Sequence, residues 1–481
     1  MIPRIKKLYA KIGVLGVGHQ VYWNQFDGLL EEMHRKQNVL IEKLKLNKVD
    51  TINLGLIDNA KSAYAKIPEI KSSDIDVLFI DMCTYATSSV IGIIFKEINI
   101  PIVMIALQPL KAMDYQNGTT FMQLCNDDIC SMPEFAGVAL RIGRKIPDVI
   151  IGTENNDPKT EYEIAEWCSI AKVIHDLKRA RIGLMGHVLE AMLDMHTDPT
   201  AITATFGSHV VQCEPDDLMK HWKKVQKNDV NIMKKRILDF FDTPNPISDP
   251  ITCKLTENDL KISAEIAVAL ENFIKEKELD GLAYYYEGEE NSEMRTLVTN
   301  LIVGNSLLTS SGFPMCGEFD IKTCIAMMIM DRLEIGGSFA ELHPIDFEKD
   351  TILIGHDGPH HLNIADRKPV IRSLKKYHGK PGKGASVEFN IKTGPITILS
   401  IGVNHSGKFR FVIAEGESIP GPIPPTGNTN THGKFKPDVR TFLKNWIKAG
   451  PTHHFALGIG HYAKTIAKIA ELLDIENIIV T

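Results

Sequence analysis

A change of rhythm near residue 334 divides the chain into two kinds of text. Before it, short β-branched runs alternate with helical stretches; after it, strand-like runs follow one another with little more than turn residues between. In the first 177 residues the runs at 12–15, 51–56, 77–80 and 102–105 read as strands, and the stretches 24–46, 86–95 and 157–175 read as helices. Parallel neighbours need a crossover, which a helix supplies, so this alternation predicts a doubly wound parallel sheet. The pattern restarts at Arg181-Ile182-Gly183-Leu184, with helical stretches over 215–240 and 257–276 and a strand over 281–286. Residues 242–254 are rich in proline and turn formers and read as a loop. Beyond residue 334, strands at 351–354, 386–391, 396–401 and 409–413 predict an antiparallel sheet or barrel, with the proline- and glycine-rich stretch 416–436 as loop. A helix over 439–448 and a last helix-strand pair close the chain. The expected fold is α/β: two doubly wound Rossmann-like domains, 1–177 and 178–333, then an antiparallel β-rich, barrel-like domain over 334–481.

Several functional classes fall away on composition. A net charge of −6 and a pI near 6.3 argue against a nucleic-acid partner. The most apolar stretch, 89–106, is interrupted by Lys96, Glu97 and Asn99, so no membrane span is expected. The basic-then-apolar N-terminus reads as a first strand, not as a signal peptide. Eight cysteines form no C-x-x-C pair, which leaves no zinc knuckle and fits a reducing, cytoplasmic setting. Gly13, Gly16 and Gly18 give G-x-x-G-x-G in place of the dinucleotide fingerprint, the ordinary content of a first strand-to-helix turn.

The residues with metal chemistry lie toward the C-terminus. Glu318 stands in Cys316-Gly317-Glu318-Phe319-Asp320, Glu341 follows Gly336-Gly337-Ser338-Phe339-Ala340, His356 ends a strand, and His453-His454 follow Gly450-Pro451-Thr452. Two carboxylates and two imidazoles suit a hard or borderline divalent cation. Each also has an ordinary alternative: a first-turn helix glutamate, a surface-loop glutamate, a packed core histidine, and one packed and one solvated histidine. Spacing alone does not choose between them.

The order of several motifs does more. Residues 317–323 (GEFDIKT), 336–341 (GGSFAE), 347–349 (FEK), 353–356 (LIGH), 390–395 (NIKTGP), 446–454 (WIKAGPTHH) and 473–476 (LDIE) resemble the L-arabinose isomerase family, within the L-arabinose/L-fucose isomerase superfamily. The resemblance covers most of the chain and is dense from about residue 311. It implies that Glu318, Glu341, His356 and His454 hold a divalent ion, Mn²⁺ with Co²⁺ or Mg²⁺ able to substitute. It further implies that Glu318 and Glu341 are the acid-base pair of an aldose–ketose isomerisation through an enediolate. By the same resemblance Tyr286 and His453 contact the sugar, while His19, Gln20 and Tyr22 reach the site of a neighbouring subunit in a homotrimer or homohexamer. Departures fall on sugar-contact positions: His19 where the family has Gln, Cys130 where it has His, and GHDGPHHL over 355–362. The sugar is therefore left open, and so are an epimerase or aldolase acting on a sugar or anionic sugar derivative, and a non-catalytic sugar sensor. A basic loop with Lys375, Lys376, Lys380 and Lys383 around Gly379 is either a solvated surface or a receiver for an anionic substituent.

Overall fold

Residues 2–146, 148–189, 192–245, 249–377 and 382–481 are described by a computed structural model. The chain divides into two compact units, residues 8–176 and residues 1–7 with 177–481. The first unit holds β1 (Lys11–Val17), β2 (Asp50–Ile57), β3 (Val77–Asp81), β4 (Ile102–Gln108) and β5 (Asp148–Thr153). They form one parallel sheet in the order β2-β1-β3-β4-β5. Every residue of β3 is buried, as expected for a parallel strand covered on both faces. The helix Leu29–Leu46 turns Leu29, Met33, Leu40, Ile41 and Leu44 inward at helical spacing. Lys36 is buried on the same face; its ammonium meets Asp128 Oδ1 at 2.5 Å and the carbonyls of Cys83 and Cys125 at 2.7 and 2.9 Å, one acceptor for each proton.

The second unit carries β6 (Arg181–Gly186), β7 (His209–Cys213), β8 (Thr252–Cys253), β9 (Gly281–Tyr285) and β10 (Met315–Cys316). It continues with β11 (Gly336–Asp346), β12 (Thr351–His356), β13 (Val370–Leu374), β14 (Gly384–Glu388) and β15 (Gly394–Val403). It ends with β16 (Phe409–Ile419), β17 (Thr429–Lys434), β18 (Phe455–Ile459) and β19 (Glu476–Val480). A parallel sheet runs β10-β9-β6-β7, and a small antiparallel sheet runs β14-β13-β8. The remaining strands close into an antiparallel barrel, β15-β18-β11-β12-β17-β16, because β16 pairs back onto β15; β19 is added in parallel outside β16. The fold is thus the expected α/β arrangement of two parallel sheets and an antiparallel barrel.

Local expectations fail in three places. The loop expected over 242–254 contains β8. The helix expected over 215–240 is two helices, Pro215–Lys223 and Lys227–Phe240. The loop expected over 416–436 is cut by the end of β16 and by all of β17. β17 reads as loop because its sequence, TNTHGK, is polar; in the barrel Thr429, Asn430 and Thr431 are buried and laddered to β12. The hydroxyls of Thr431 and Ser418 meet at 2.5 Å, so a cross-strand polar pair does what apolar residues do elsewhere.

The helix Ile321–Arg332 touches β9, β11, β15 and β18, and all of its residues are buried. It has no polar face because none meets water. Among the described residues no helix is long and apolar enough to cross a membrane.

Candidate metal centre

Glu318 reaches its place through a turn between β10 and the buried helix. Glu318 and Phe319 both sit in the left-handed region, at φ of 55° and 64°. Two consecutive non-glycine residues there cost about 1–3 kcal/mol each. The Phe319 amide donates to the Tyr284 carbonyl at 3.0 Å, pinning the turn to the C-terminal end of β9. Asp320 then caps the helix, accepting from the Thr323 amide at 3.1 Å and the Thr323 hydroxyl at 2.8 Å.

Glu341 and His356 come from one antiparallel ladder, in which Glu341 stands opposite Gly355. Glu341 is within β11, not in a surface loop, and His356 is the last residue of β12. His454 directly precedes β18 and is wholly buried. The Phe339 ring packs against both imidazoles, with centroids 4.2 Å from His356 and 4.4 Å from His454.

These four side chains converge. His356 Nε2 lies 3.7 Å from Glu318 Oε1 and 4.0 Å from Glu341 Oε1, and His454 Nε2 lies 3.3 Å from Glu318 Oε2. One ligand atom each from Glu341, His356 and His454 falls within 4.8 Å of the others, and the same holds for Glu318, His453 and His454. In both buried imidazoles Nδ1 is engaged elsewhere: that of His356 donates to the Asp357 carbonyl at 2.8 Å, and that of His454 donates to Asp320 Oδ2 at 3.2 Å. Each Nε2 is thereby left to face the carboxylates, the arrangement of imidazoles that bind metals. The 3.3 Å approach between His454 Nε2 and Glu318 Oε2 lacks hydrogen-bond geometry, so both buried atoms have no hydrogen-bond partner. Orphaned lone-pair atoms facing one another in a carboxylate–imidazole cluster fit a divalent cation.

The electrostatics agree. Burial, with the neighbouring His454, pushes His356 down to about 3 and keeps its ring in the neutral, ligating form. Burial works against charge on His454 too, but Asp320 and Glu318 outweigh it and raise the imidazole to about 9. Burial likewise opposes ionisation of Glu318, yet His454 and His356 hold its carboxyl below the usual range. Without a cation, a proton on His454 supplies the positive charge that this cluster attracts.

The cluster opens on a cavity of about 300 Å³ that Tyr284, Tyr285, Tyr286, Tyr377 and His453 also line. Three of the tyrosines are already committed: the Tyr284 hydroxyl accepts from Asn305 at 3.2 Å, that of Tyr285 donates to Glu287 at 2.7 Å, and that of Tyr377 lies 2.7 and 2.9 Å from the carbonyls of Thr299 and Ala385. Tyr286, which follows β9, and His453 both line the cavity. His453 is oriented by Asp194, whose Oδ2 accepts from its Nδ1 at 2.7 Å and its backbone amide at 3.0 Å. Neither Asp194 nor Asp320 carried any site signal in the sequence reading; only contacts across 259 and 134 residues reveal them.

His19, Gln20 and Tyr22 belong to the other unit. His19 precedes the short helix Gln20–Trp23, its ring 5.0 Å from Tyr22 and 6.0 Å from Tyr85, and Gln20 accepts from Asn59 at 3.1 Å. Cys130 is exposed. Of the basic loop, Lys375 and Lys383 line a separate cavity with Asp259 and Glu290, while Lys380 and Gly379 lie outside the described residues. Among the described residues no Lys or Arg lines the cavity of the cluster. A larger cavity of about 670 Å³ lies beside residues 3–6. Its charges are largely spent on each other, Arg4 on Asp331 at 2.6 Å, Lys6 on Asp280 at 2.7 Å and Arg236 on Glu271 at 2.8 Å.

Within the second unit, two glutamates and two histidines brought together from the turn after β10, from β11 and β12 and from the approach to β18 define a candidate metal centre. Residues 336–476 match the family model for the L-arabinose isomerase C-terminal domain. The L-arabinose isomerase of Escherichia coli (strain K12) is 24% identical over 331 residues, which is 66% of this chain and 64% of that protein. The L-arabinose isomerase of Shigella dysenteriae serotype 1 is 23% identical over 354 residues, 71% of this chain and 68% of that protein. That of Klebsiella pneumoniae is 29% identical over 180 residues, 35% of each. The chain thus spans a little under two thirds of the Escherichia coli relative. The similarity to L-arabinose isomerases covers the C-terminal domain as a family match and about two thirds of the chain at low identity.

Proposed function

We propose that the protein is an enzyme, a divalent-metal-dependent aldose–ketose isomerase that acts on a sugar through an enediolate. The single observation that carries the reading is the convergence of Glu318, Glu341, His356 and His454 with both imidazole Nδ1 atoms turned away. The four side chains are the proposed ligands; Mn²⁺ is the expected ion, with Co²⁺ or Mg²⁺ able to replace it, since mixed oxygen and imidazole donors suit six-coordinate cations. When bound, such an ion supplies positive charge where oxyanion character develops on the two adjacent sugar oxygens.

The chain's own groups handle the protons. One of Glu318 and Glu341 takes the proton from C2 and returns it to C1, while the other serves the proton that passes from O2 to O1. Nothing is gained or lost, as an isomerisation requires. Tyr286 and His453 are proposed to hold the sugar in the cavity, and His19, Gln20 and Tyr22 to serve the site of a neighbouring subunit in a homotrimer or homohexamer. Domain boundaries after residues 177 and 333, and a cytoplasmic location, belong to the same proposal. The relatives' name makes L-arabinose the first sugar to try. The absence of Lys and Arg among the described residues lining the cavity favours an uncharged sugar over an anionic one.

The test is product analysis by NMR with metal-free protein, before and after addition of Mn²⁺, on L-arabinose and a panel of neutral and acidic aldoses. Ketose is expected only with the metal present. Epimers or cleavage products would transfer the assignment to an epimerase or aldolase, and sugar binding without turnover would make the protein a sensor.

A further inference from the structure

The two imidazoles of the cluster are held by different means. His356 leans on a backbone carbonyl, which is always there, whereas His454 depends on one side chain. That side chain, Asp320, is itself wholly buried and anchored at both oxygens. Oδ1 accepts from the Thr323 amide at 3.1 Å and lies 3.7 Å from the Lys322 ammonium. Oδ2 accepts from the Thr323 hydroxyl at 2.8 Å and from His454 at 3.2 Å. Lys322, also wholly buried, is fixed in turn by the Met195 carbonyl at 2.7 Å. A carboxylate this deep is expensive to keep unless the groups around it use its charge.

From this geometry we infer that Asp320 is a positioning residue of the metal centre: through His454 Nδ1 it fixes the ring's orientation and tautomer, aiming the Nε2 lone pair at the cation. The inference rests on the metal reading above. A carboxylate behind a metal-bound imidazole orients it and increases its basicity. Here the same carboxylate also caps the helix Ile321–Arg332, so ring and turn share one anchor: Asp320 is two residues from Glu318 and bonded to His454. If the Lys322–Asp320 pair only stabilised the helix start, its loss would lower stability without singling out the metal.

Asp320→Asn separates the two roles. Asparagine is an equally good helix cap and keeps an oxygen for His454, but it carries no charge. With the full chain stripped of metal, Mn²⁺ affinity is measured by calorimetry and thermal stability is measured without metal. D320N is expected to weaken Mn²⁺ binding by about 10–100-fold, measured at a temperature where both proteins remain folded, because the buried Lys322 also loses its counter-charge and the metal-free melting temperature falls. In a His454→Gln background the same change is expected to cost no further affinity, because Asp320 acts through that imidazole. Wild-type affinity in D320N overturns the inference and leaves the metal reading intact. An equal loss of affinity in the H454Q background overturns it as well. Failure of the unaltered protein to bind Mn²⁺ removes the metal reading, and the inference with it.

Discussion

The turn at 317–320 and the ladder between β11 and β12 each deliver a glutamate to one cluster, by opposite means. The turn holds Glu318 and Phe319 in left-handed backbone and secures them with the Phe319–Tyr284 hydrogen bond and the Asp320 cap. The ladder holds Glu341 in ordinary antiparallel register opposite Gly355, with His356 next in line. One region reaches the cluster through left-handed backbone; the other reaches it in paired strand register. A strained turn can aim a side chain where no regular element points, but only if packing around it is strong enough to keep the strain. The wholly buried helix Ile321–Arg332 supplies that packing.

The largest expected effect asks whether the two regions contribute equal partners. Glu318→Gln and Glu341→Gln should each lower turnover by about 100–1000-fold, the usual consequence of losing one preorganised group that acts on the transition state. Steady-state kinetics with saturating Mn²⁺ check this; near-full turnover in either variant breaks the symmetry and removes that glutamate from the acid-base pair. A smaller effect probes the ladder. A Cβ on Gly355 would lie 2.1 Å from the Thr429 carbonyl oxygen and 2.3 Å from Asn430 Oδ1, so β12 and β17 would have to part beside His356. Gly355→Ala should cost about 1–3 kcal/mol in urea denaturation and also weaken Mn²⁺ binding. A variant as stable as the parent would mean that the ladder yields more easily than its spacing suggests.

The smallest effect tests the helix behind the turn, at its far end. Burial pushes Asp331 up, but His361, Arg332 and Arg4 outweigh burial and hold its carboxyl well below the usual carboxylate range. A carboxyl depressed on folding adds stability that is present above its unfolded value of about 3.9 and lost as pH falls below it. Asp331→Asn should therefore flatten the decline of metal-free stability between about pH 5 and pH 2, by up to about 1.4 kcal/mol per pH unit. An unchanged acid slope in the variant would place that pH dependence elsewhere.

The strain/ladder contrast also explains what could be read from the sequence. The strands β1, β2, β3 and β4 were legible because they are short apolar runs between helices, whereas the parallel strands β5, β7 and β10 went unread. β17 was not, because its buried face is threonine and asparagine and its neighbours are proline and glycine. Glu318, Glu341, His356 and His454 were picked out by the order of several motifs; no single spacing marked them. Asp194 and Asp320 escaped because an orienting carboxylate needs no particular neighbour in sequence, only the right fold around it. The left-handed turn was equally silent: nothing in Gly317-Glu318-Phe319-Asp320 announces two positive φ angles on residues with side chains.

The order of strands in the barrel has a consequence for biosynthesis. β18 fits between β11 and β15, which the ribosome releases well before it. Until β18 arrives, both neighbours present bare hydrogen-bonding edges, a hazard for pairing with other nascent chains. The residue at the threshold of that late strand is His454. Sealing the barrel and completing the proposed cation cage are therefore one event, and a chain caught before it is both exposed to aggregation and short of an imidazole.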